Sequence, residues 1–302
     1  MAVLEQRKEL LGRDHPDTLE AMFWLGRIYK EKAQWKEAEE IDVIVVNEQR
    51  KILGEGHLDT INSLSCLAFT YLQLGKWKEA EELRALVVEK YRNILGDEHP
   101  KTLRAMQNLA KTYWQLGKLH EAEQLGLLVF EKQKSLRGEN HPETLRAMAN
   151  LAATYNRLGR LQESQELELV VLEKRQNILG NNHPRTLFSM SDLAFTYQSM
   201  GKFQKAEELE IVVLKKRREI LGGNHSDTLY SMSMLASTFI DLGKLEEAEE
   251  LSVVALDKQR ELLGNSHPET IKTMQILARA YEKSGKLKES KELNTIINTN
   301  QV

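Results

Sequence analysis

The chain has 302 residues, 41% of them hydrophobic and 29% charged, with a net charge of −3. That balance excludes a disordered polyampholyte and gives no general pull toward nucleic acid or an anionic membrane. No apolar run reaches the ~18 residues that would suggest a bilayer span, and the single cysteine, Cys66, has no internal disulfide partner, as expected of a cytoplasmic chain.

The first segment, residues 1–11, matches only the last third of a helix seen complete further on. Val3, Leu4, Leu10 and Leu11 fall on its apolar positions, and no earlier helix in the chain covers them. The expectation is a fragment whose open end, Val3–Leu11, frays or stacks on another copy, since repeat arrays normally end in polar caps. Gly12, His15 and Thr18 come next, and this triplet sets the register of everything that follows. The glycine recurs at Gly54, Gly96, Gly138, Gly180, Gly222 and Gly264, in steps of 42 residues. His57, His99, His141, His183, His225 and His267 keep the same step, as do Thr60, Thr102, Thr144, Thr186, Thr228 and Thr270. Such periodicity is the signature of a repeat architecture. It predicts one continuous array over residues 1–302, of about seven units, with the first and last incomplete.

Each unit carries two helical patterns. In the unit that starts at His99, Pro100 suits a first helical turn, where its missing N–H is no loss. Leu103, Met106, Leu109, Ala110, Tyr113 and Leu116 then recur at helical spacing, and Gly117 closes the helix. A second helix is predicted from about Leu119 to Leu136. Glu121 and Glu123 sit near its start and Lys132 and Lys134 near its end, matching the helix dipole. Second helices carry a broad apolar band, such as Leu167, Leu169, Val170, Val171 and Leu172, wide enough to cover two neighbours. Two columns of small residues mark close crossings: Gly26, Ala68, Ala110, Ala152, Ala194, Ala236 and Ala278 on first helices, and Ala38, Ala80, Ala122, Ser164, Ala206, Ala248 and Ser290 on second helices. After Leu293 the sequence leaves the template and turns polar, which reads as a natural end.

Leu109-Ala110-Lys111-Thr112-Tyr113, then Leu116-Gly117-Lys118, then Glu121-Ala122-Glu123 resembles the tetratricopeptide (TPR) signature. The 42-residue form, with Leu-Gly-x-x-His-Pro between units, resembles the kinesin-light-chain subclass. Leu172-Glu173-Lys174-Arg175 before Ile178-Leu179-Gly180 is similar to the C-terminal repeats of fungal NLR-like, nucleotide-switched ATPases. The resemblance implies an all-α fold, a right-handed α-solenoid (superhelix) of antiparallel helix pairs. It also implies a protein- or peptide-binding scaffold that works through its concave groove and is not an enzyme. The first reading is the ligand-sensing part of a larger NLR-like protein. No phosphate-binding loop occurs in these residues, so any nucleotide switch lies outside the chain. The alternatives are a kinesin-light-chain-like cargo adaptor, or a structural array that self-associates end to end.

The registered histidines are a repeat apart, too far for shared metal ligation, and are expected to start helices; neither metal nor cofactor is implied. Glutamates such as Glu79, Glu81 and Glu82 fit an exposed, dipole-matched first turn rather than acid/base chemistry. His120 is expected at the surface, and Cys66 as a half-buried neutral thiol. By resemblance, the groove takes the first-helix positions that vary while the frame stays fixed. Arg104, Lys111, Arg146 and Arg157 form a basic stretch there, and Phe69, Leu72, Trp114, Phe188, Phe195 and Tyr230 put apolar and aromatic side chains on a face that should be wet. Asn150 joins them: kinesin light chains carry paired asparagines before the Leu-Ala of many repeats, and Ala149-Asn150 holds those places here, whereas Ser191-Asp192 holds them a unit later. Aromatic and arginine side chains on a surface are the usual anchors of a partner. Far-UV dichroism dominated by helix, with no strand contribution, is the expected outcome.

Overall fold

The computed structural model describes residues 2–12 and 14–300, apart from the side chains of residues 2–4, 8 and 300. Val3 and Leu4, named above at the open end, therefore lie outside the described side chains, while Leu10 and Leu11 are exposed. Every described element is a helix. The chain divides into two compact units, Met1–Thr154 and Tyr155–Val302. In the first, α1 (Ala2–Leu11) is followed by α2 (Pro16–Glu31), α3 (Trp35–Leu53), α4 (Leu58–Gln73), α5 (Trp77–Leu95), α6 (Pro100–Gln115) and α7 (Leu119–Arg137). The division falls in the last turn of α8 (Pro142–Arg157). The second unit holds α9 (Leu161–Leu179), α10 (Pro184–Ser199), α11 (Phe203–Leu221), α12 (Ser226–Asp241), α13 (Leu245–Leu263), α14 (Pro268–Lys283) and α15 (Leu287–Asn300). Within each unit every helix packs on the next in sequence, and in the second α12 also touches α14. This is the stacking of an α-solenoid, first helices of 16 residues alternating with second helices of 19.

The Gly-His-Thr triplet builds the turn between repeats. Gly96 takes a φ of 83°, which a side chain would resist, and its N–H caps the Arg92 carbonyl at the end of α5. His99 then starts α6: its backbone is extended and its Nδ1 accepts from the Lys101 N–H at 3.1 Å. The same bond recurs at His15, His57, His141, His183, His225 and His267. Thr102, fully buried, donates back to the Gly96 carbonyl at 2.8 Å, and Thr228 donates to Gly222 at 2.9 Å. The periodic histidines are N-caps, and no cluster of metal-binding side chains occurs among the described residues.

The core lies between first and second helices. In the first unit Ile61, Leu64, Leu103 and Met106 from first helices meet Val46, Val87 and Val129 from second helices. In the second, Leu187 and Met190 meet Leu172 and Val213. Outer edges are tied by a repeated staple: the lysine of a Gly-Lys turn reaches a side chain 37 residues earlier, a glutamate for Lys118 (Glu81, 2.6 Å) and Lys286 (Glu249, 2.6 Å) and a glutamine for Lys202 (Gln165, 2.9 Å). Lys118 and Lys286 also lie over Tyr113 and Tyr281. Glu81 is thus half-buried and paired, not freely exposed as its first-turn position suggested, while His120 is exposed as expected.

Both small-residue columns sit at buried crossings, with one departure: Ala110 is half-buried, while Ala68, Ala152, Ala194 and Ala236 are fully buried. Ala194→Trp should lower unfolding stability by ~1–3 kcal/mol or more through overpacking, and Ala110→Trp should be tolerated far better. Denaturant titration of the two variants checks this; equal losses would show that Ala110 crosses as tightly as the rest.

Candidate peptide-binding faces

The residues predicted for the groove lie on both units, and each unit is taken by itself. On the first, Phe69 of α4 is 43% exposed and meets the Trp35 ring edge-on, centroids 6.0 Å apart. Arg104 and Lys111 of α6 are exposed and form no ion pair among the described residues. Leu72 is a correction. It is 7% exposed, because its side chain turns into the packing between helices. Ile240, at the matching place on α12, is 1% exposed for the same reason. Arg146 of α8 is half-buried and already committed, donating to Glu143 and to the Gln107 carbonyl oxygen, so it does not offer a free charge.

Lys111, Trp114 and Asn150 come together. They line a cavity of about 200 Å³ with Gln107 and Ala110 of α6, Ala122, Gly126 and Val129 of α7, and Ala147, Ala153 and Thr154 of α8. Trp114 Nε1 donates to the Ala153 carbonyl at 3.3 Å, which sets its ring against the cavity. No acidic side chain lines it. A second cleft near the start of the unit, about 400 Å³, is lined by Phe23, Trp24, Gln49, Ile52 and Asn62 among others. Trp24 is half exposed, under Arg27 at 4.7 Å, and was not among the residues expected for the groove.

On the second unit, Phe195 lines an open cleft of about 420 Å³ along α10, α12 and α14 with Gln198, Met234, Ser237, Asp241, Lys272 and Arg279. Its floor is a polar net: Gln198 donates to Ser237 and Asp241 at 3.0 and 2.8 Å, and Arg279 donates to Asp241 at 3.2 Å. Phe188 and Tyr230 share a column but do not line this cleft. Arg217, buried and bonded to Ser231, stacks on Phe188 at 4.8 Å, and Lys272 lies over Tyr230 at 5.1 Å. Phe188 and Phe195 remain 44% and 47% exposed. Cys66 is half-buried and its thiol is pushed up by burial, so it is a neutral thiol as expected.

Beneath these faces, second helices send one buried polar side chain toward the first helices. Asp42 pairs with Lys30 at 2.7 Å and accepts from Thr70 at 2.6 Å. Arg84 reaches the Asn108 carbonyl and Thr112, and burial pushes its guanidinium down to about 10. Glu168 accepts from Thr196 at 3.0 Å. Burial raises both Glu168 and its counterpart Glu210 to about 7.

These residues place the chain in a family. Tetratricopeptide-repeat models match residues 59–134 and then residues 144–185, 186–227 and 228–269. The chain belongs to the tetratricopeptide-repeat family. It is similar to a putative kinesin light chain of Podosopora anserina with nearly identical TPR-like repeats, at 35% identity over 68% of this chain and 98% of that one, with a TM-score of 0.61. Its fold is shared by NprR solved with its cognate peptide NprX, at 16% identity over 97% and 83% of the two chains and a TM-score of 0.65. It is shared too by a signal transduction ATPase with numerous domains from Pyrococcus horikoshii that has a TPR sensor, at 16% identity over 94% of this chain and 42% of that one, TM-score 0.62. No curated protein sequence matches the chain.

The raised carboxyls have a consequence for stability. Their folded pKa of about 7 lies above the ordinary 4.5, so the unfolded chain gives up these protons first as pH rises. Their contribution is fully present below about 4.5 and is lost as pH climbs through about 7. Denaturant midpoints should therefore fall between pH 5 and pH 7, roughly the span separating the two values. The fall should shrink in a Glu168→Gln, Glu210→Gln double variant; an identical pH profile in the variant would contradict this.

Proposed function

We propose that the chain is a peptide- or protein-binding scaffold whose partner lies along the exposed faces of its first helices, and that it serves as the ligand-sensing part of a larger cytoplasmic protein. The observation that carries the reading is the contrast between frame and face. Caps, crossings and core repeat from unit to unit, whereas Phe69, Arg104, Lys111, Phe188 and Phe195 vary in chemistry and stay exposed. Solubility alone does not call for three exposed phenylalanines on one kind of helix, and aromatic and arginine side chains are the common hot spots of interfaces. A fold shared with NprR, solved with its cognate peptide, and with a signal transduction ATPase that has a TPR sensor supports the same reading. Nothing in these faces assembles a nucleophile with a base and an orienting group, so a scaffold without catalysis fits them best. A kinesin-light-chain-like adaptor is the second reading, favoured by the 35% identical relative.

Pull-down with the chain, followed by titration of the captured partner, tests this. Arg104→Glu should slow association, most strongly at low salt, because it reverses an exposed charge with no ion pair. Phe195→Ala should weaken binding by ~1–2 kcal/mol with little salt dependence. Glu208→Lys, on the exposed face of a second helix, should bind like the parent. If Glu208→Lys abolishes binding while the other two leave it intact, the working face is that of the second helices.

A further inference from the structure

We infer that the cavity between α6, α7 and α8 is a subsite that takes one carboxylate side chain from a partner peptide, in the place that a buried side chain of the chain itself fills in neighbouring repeats. The inference deepens the binding reading above and rests on it.

The column that begins at Asp42 continues with Arg84, Gly126, Glu168, Glu210 and Ser252. Every one of these but Gly126 is a polar or charged side chain with 9% exposure or less, and Asn294, the place's last occupant, is polar and half-buried. Each stands sixteen residues after the small residue of its own first helix, and the two meet: a Cβ on Gly26 would come within 3.0 Å of the Asp42 carboxylate. At Gly126 that filling side chain is missing. Ala110, sixteen residues earlier, is half-buried for this reason, and the space left is the cavity of about 200 Å³. Thr154, the counterpart of the threonines that hold Asp42, Arg84 and Glu168, is left with the Asn150 carbonyl at 3.0 Å.

Packing does not require the glycine. It lies inside α7 without a positive φ, and a Cβ there would make ordinary contact with Leu151 at 3.6 Å. A mid-helix glycine is unfavourable by ~1 kcal/mol relative to alanine, and an open cavity adds to the loss.

An independent observation points to a ligand. Gln107 lines the cavity and is 7% exposed, and its Nε2 is buried with no hydrogen-bond partner. The Arg146 guanidinium holds its carbonyl oxygen, which fixes the amide so that the donor is the unused end. A buried donor of this kind is costly unless something accepts from it. The cavity thus offers an unused donor at Gln107, a hydroxyl at Thr154 and the Lys111 ammonium, with no acid in its lining. An acceptor carrying negative charge satisfies Gln107 and Lys111, and the Thr154 hydroxyl can turn to it from the Asn150 carbonyl, as Thr70 turns to Asp42. Glu168 shows that a carboxyl group fits the equivalent place against a threonine hydroxyl.

The test uses the whole chain and three blocked pentapeptides, Gly-Ala-Glu-Ala-Gly and its counterparts with glutamine or alanine at the centre. The NMR signals of the Gln107 side-chain amide and the Trp114 indole are followed during titration. The glutamate peptide should shift both saturably, and the glutamine peptide should bind about tenfold more weakly, as loss of a charge-assisted bond predicts. Gly126→Glu, which supplies the missing carboxylate from within, should abolish the shifts while unfolding at or above the parental midpoint. Gln107→Leu, followed at the Trp114 indole alone, should also lose the shift. Equal binding of the three peptides, or no shift with the glutamate peptide, overturns the subsite. The broader reading fails separately. A pull-down partner held equally by the parent and Gly126→Glu sinks the subsite and leaves the binding face standing, whereas a partner insensitive to Arg104→Glu and Phe195→Ala sinks the face itself.

Discussion

The architecture depends on how one repeat hands the chain to the next. A helix end leaves carbonyls unsatisfied and a helix start leaves N–H groups unsatisfied, and in a stacked array both ends lie close to neighbouring helices. The glycine turn, the histidine Nδ1 and the buried threonine hydroxyl answer these needs within seven residues, as at Gly96–Thr102. Because the turn has one conformation, the angle between a second helix and the following first helix is fixed each time. Core side chains such as Val87 and Leu103 then meet in the same way from repeat to repeat. Periodic histidine, which in another context would suggest metal, is here the price of ending and restarting a helix in tight quarters.

A frame fixed in this way leaves other positions free to change. Two of the variable first-helix positions, those of Arg104 and Lys111, point outward, and mostly carry exposed side chains. Leu72 and Ile240, at one repeat position, turn into the seam between helices and are buried there, whereas Trp114 at the same place lines the cavity. The same frame sets a polar side chain beneath the face from the second helices, with α7, which carries Gly126 there, as the exception. Burying a charge there is unfavourable unless it is held, and Asp42 and Glu168 are held by a lysine or by hydroxyls. Such residues contribute less to stability than an apolar side chain of the same size would. They do prop the floor of the face, by keeping first helices at a set distance from the helices behind them.

Much of the fold was legible in the sequence, because a 42-residue period and a 3.6-residue period are both long-range regularities that single substitutions do not erase. Helix ends followed from glycine and proline: the second helix predicted to end near Leu136 ends at Arg137. The faces were legible only in part. Spacing separates positions by angle around a helix, but Leu72 and Phe69 differ by three residues, and which of them meets a neighbour depends on the crossing of two helices. Spacing allows the pairing of Arg146 with Glu143 three residues earlier, but not its bond to Gln107, which joins residues 39 apart. The cavity at Gly126 did leave a signal. Aligning second helices by the period puts a lone glycine among Asp42, Arg84, Glu168 and Glu210, but without the structure a glycine in a helix reads as a weak spot rather than as a missing filler.

That distinction turns on what surrounds the gap. A glycine over an apolar, closed space is a packing defect, and nothing in it seeks a partner. Here the gap is open to solvent beside Lys111, carries a buried donor whose orientation an arginine has already set, and is bordered by a tryptophan whose ring is pinned by its own indole bond. Each of these ordered groups would otherwise add conformational entropy to the cost of binding, and each has been fixed in advance. Arg146 thereby has a role different from the one its charge suggested. It does not face a partner; it holds Gln107 so that the amide presents its donor to the cavity. A face built on this frame can gain a recognition site by losing a side chain, because the repeat already supplies the walls and the polar groups that line them.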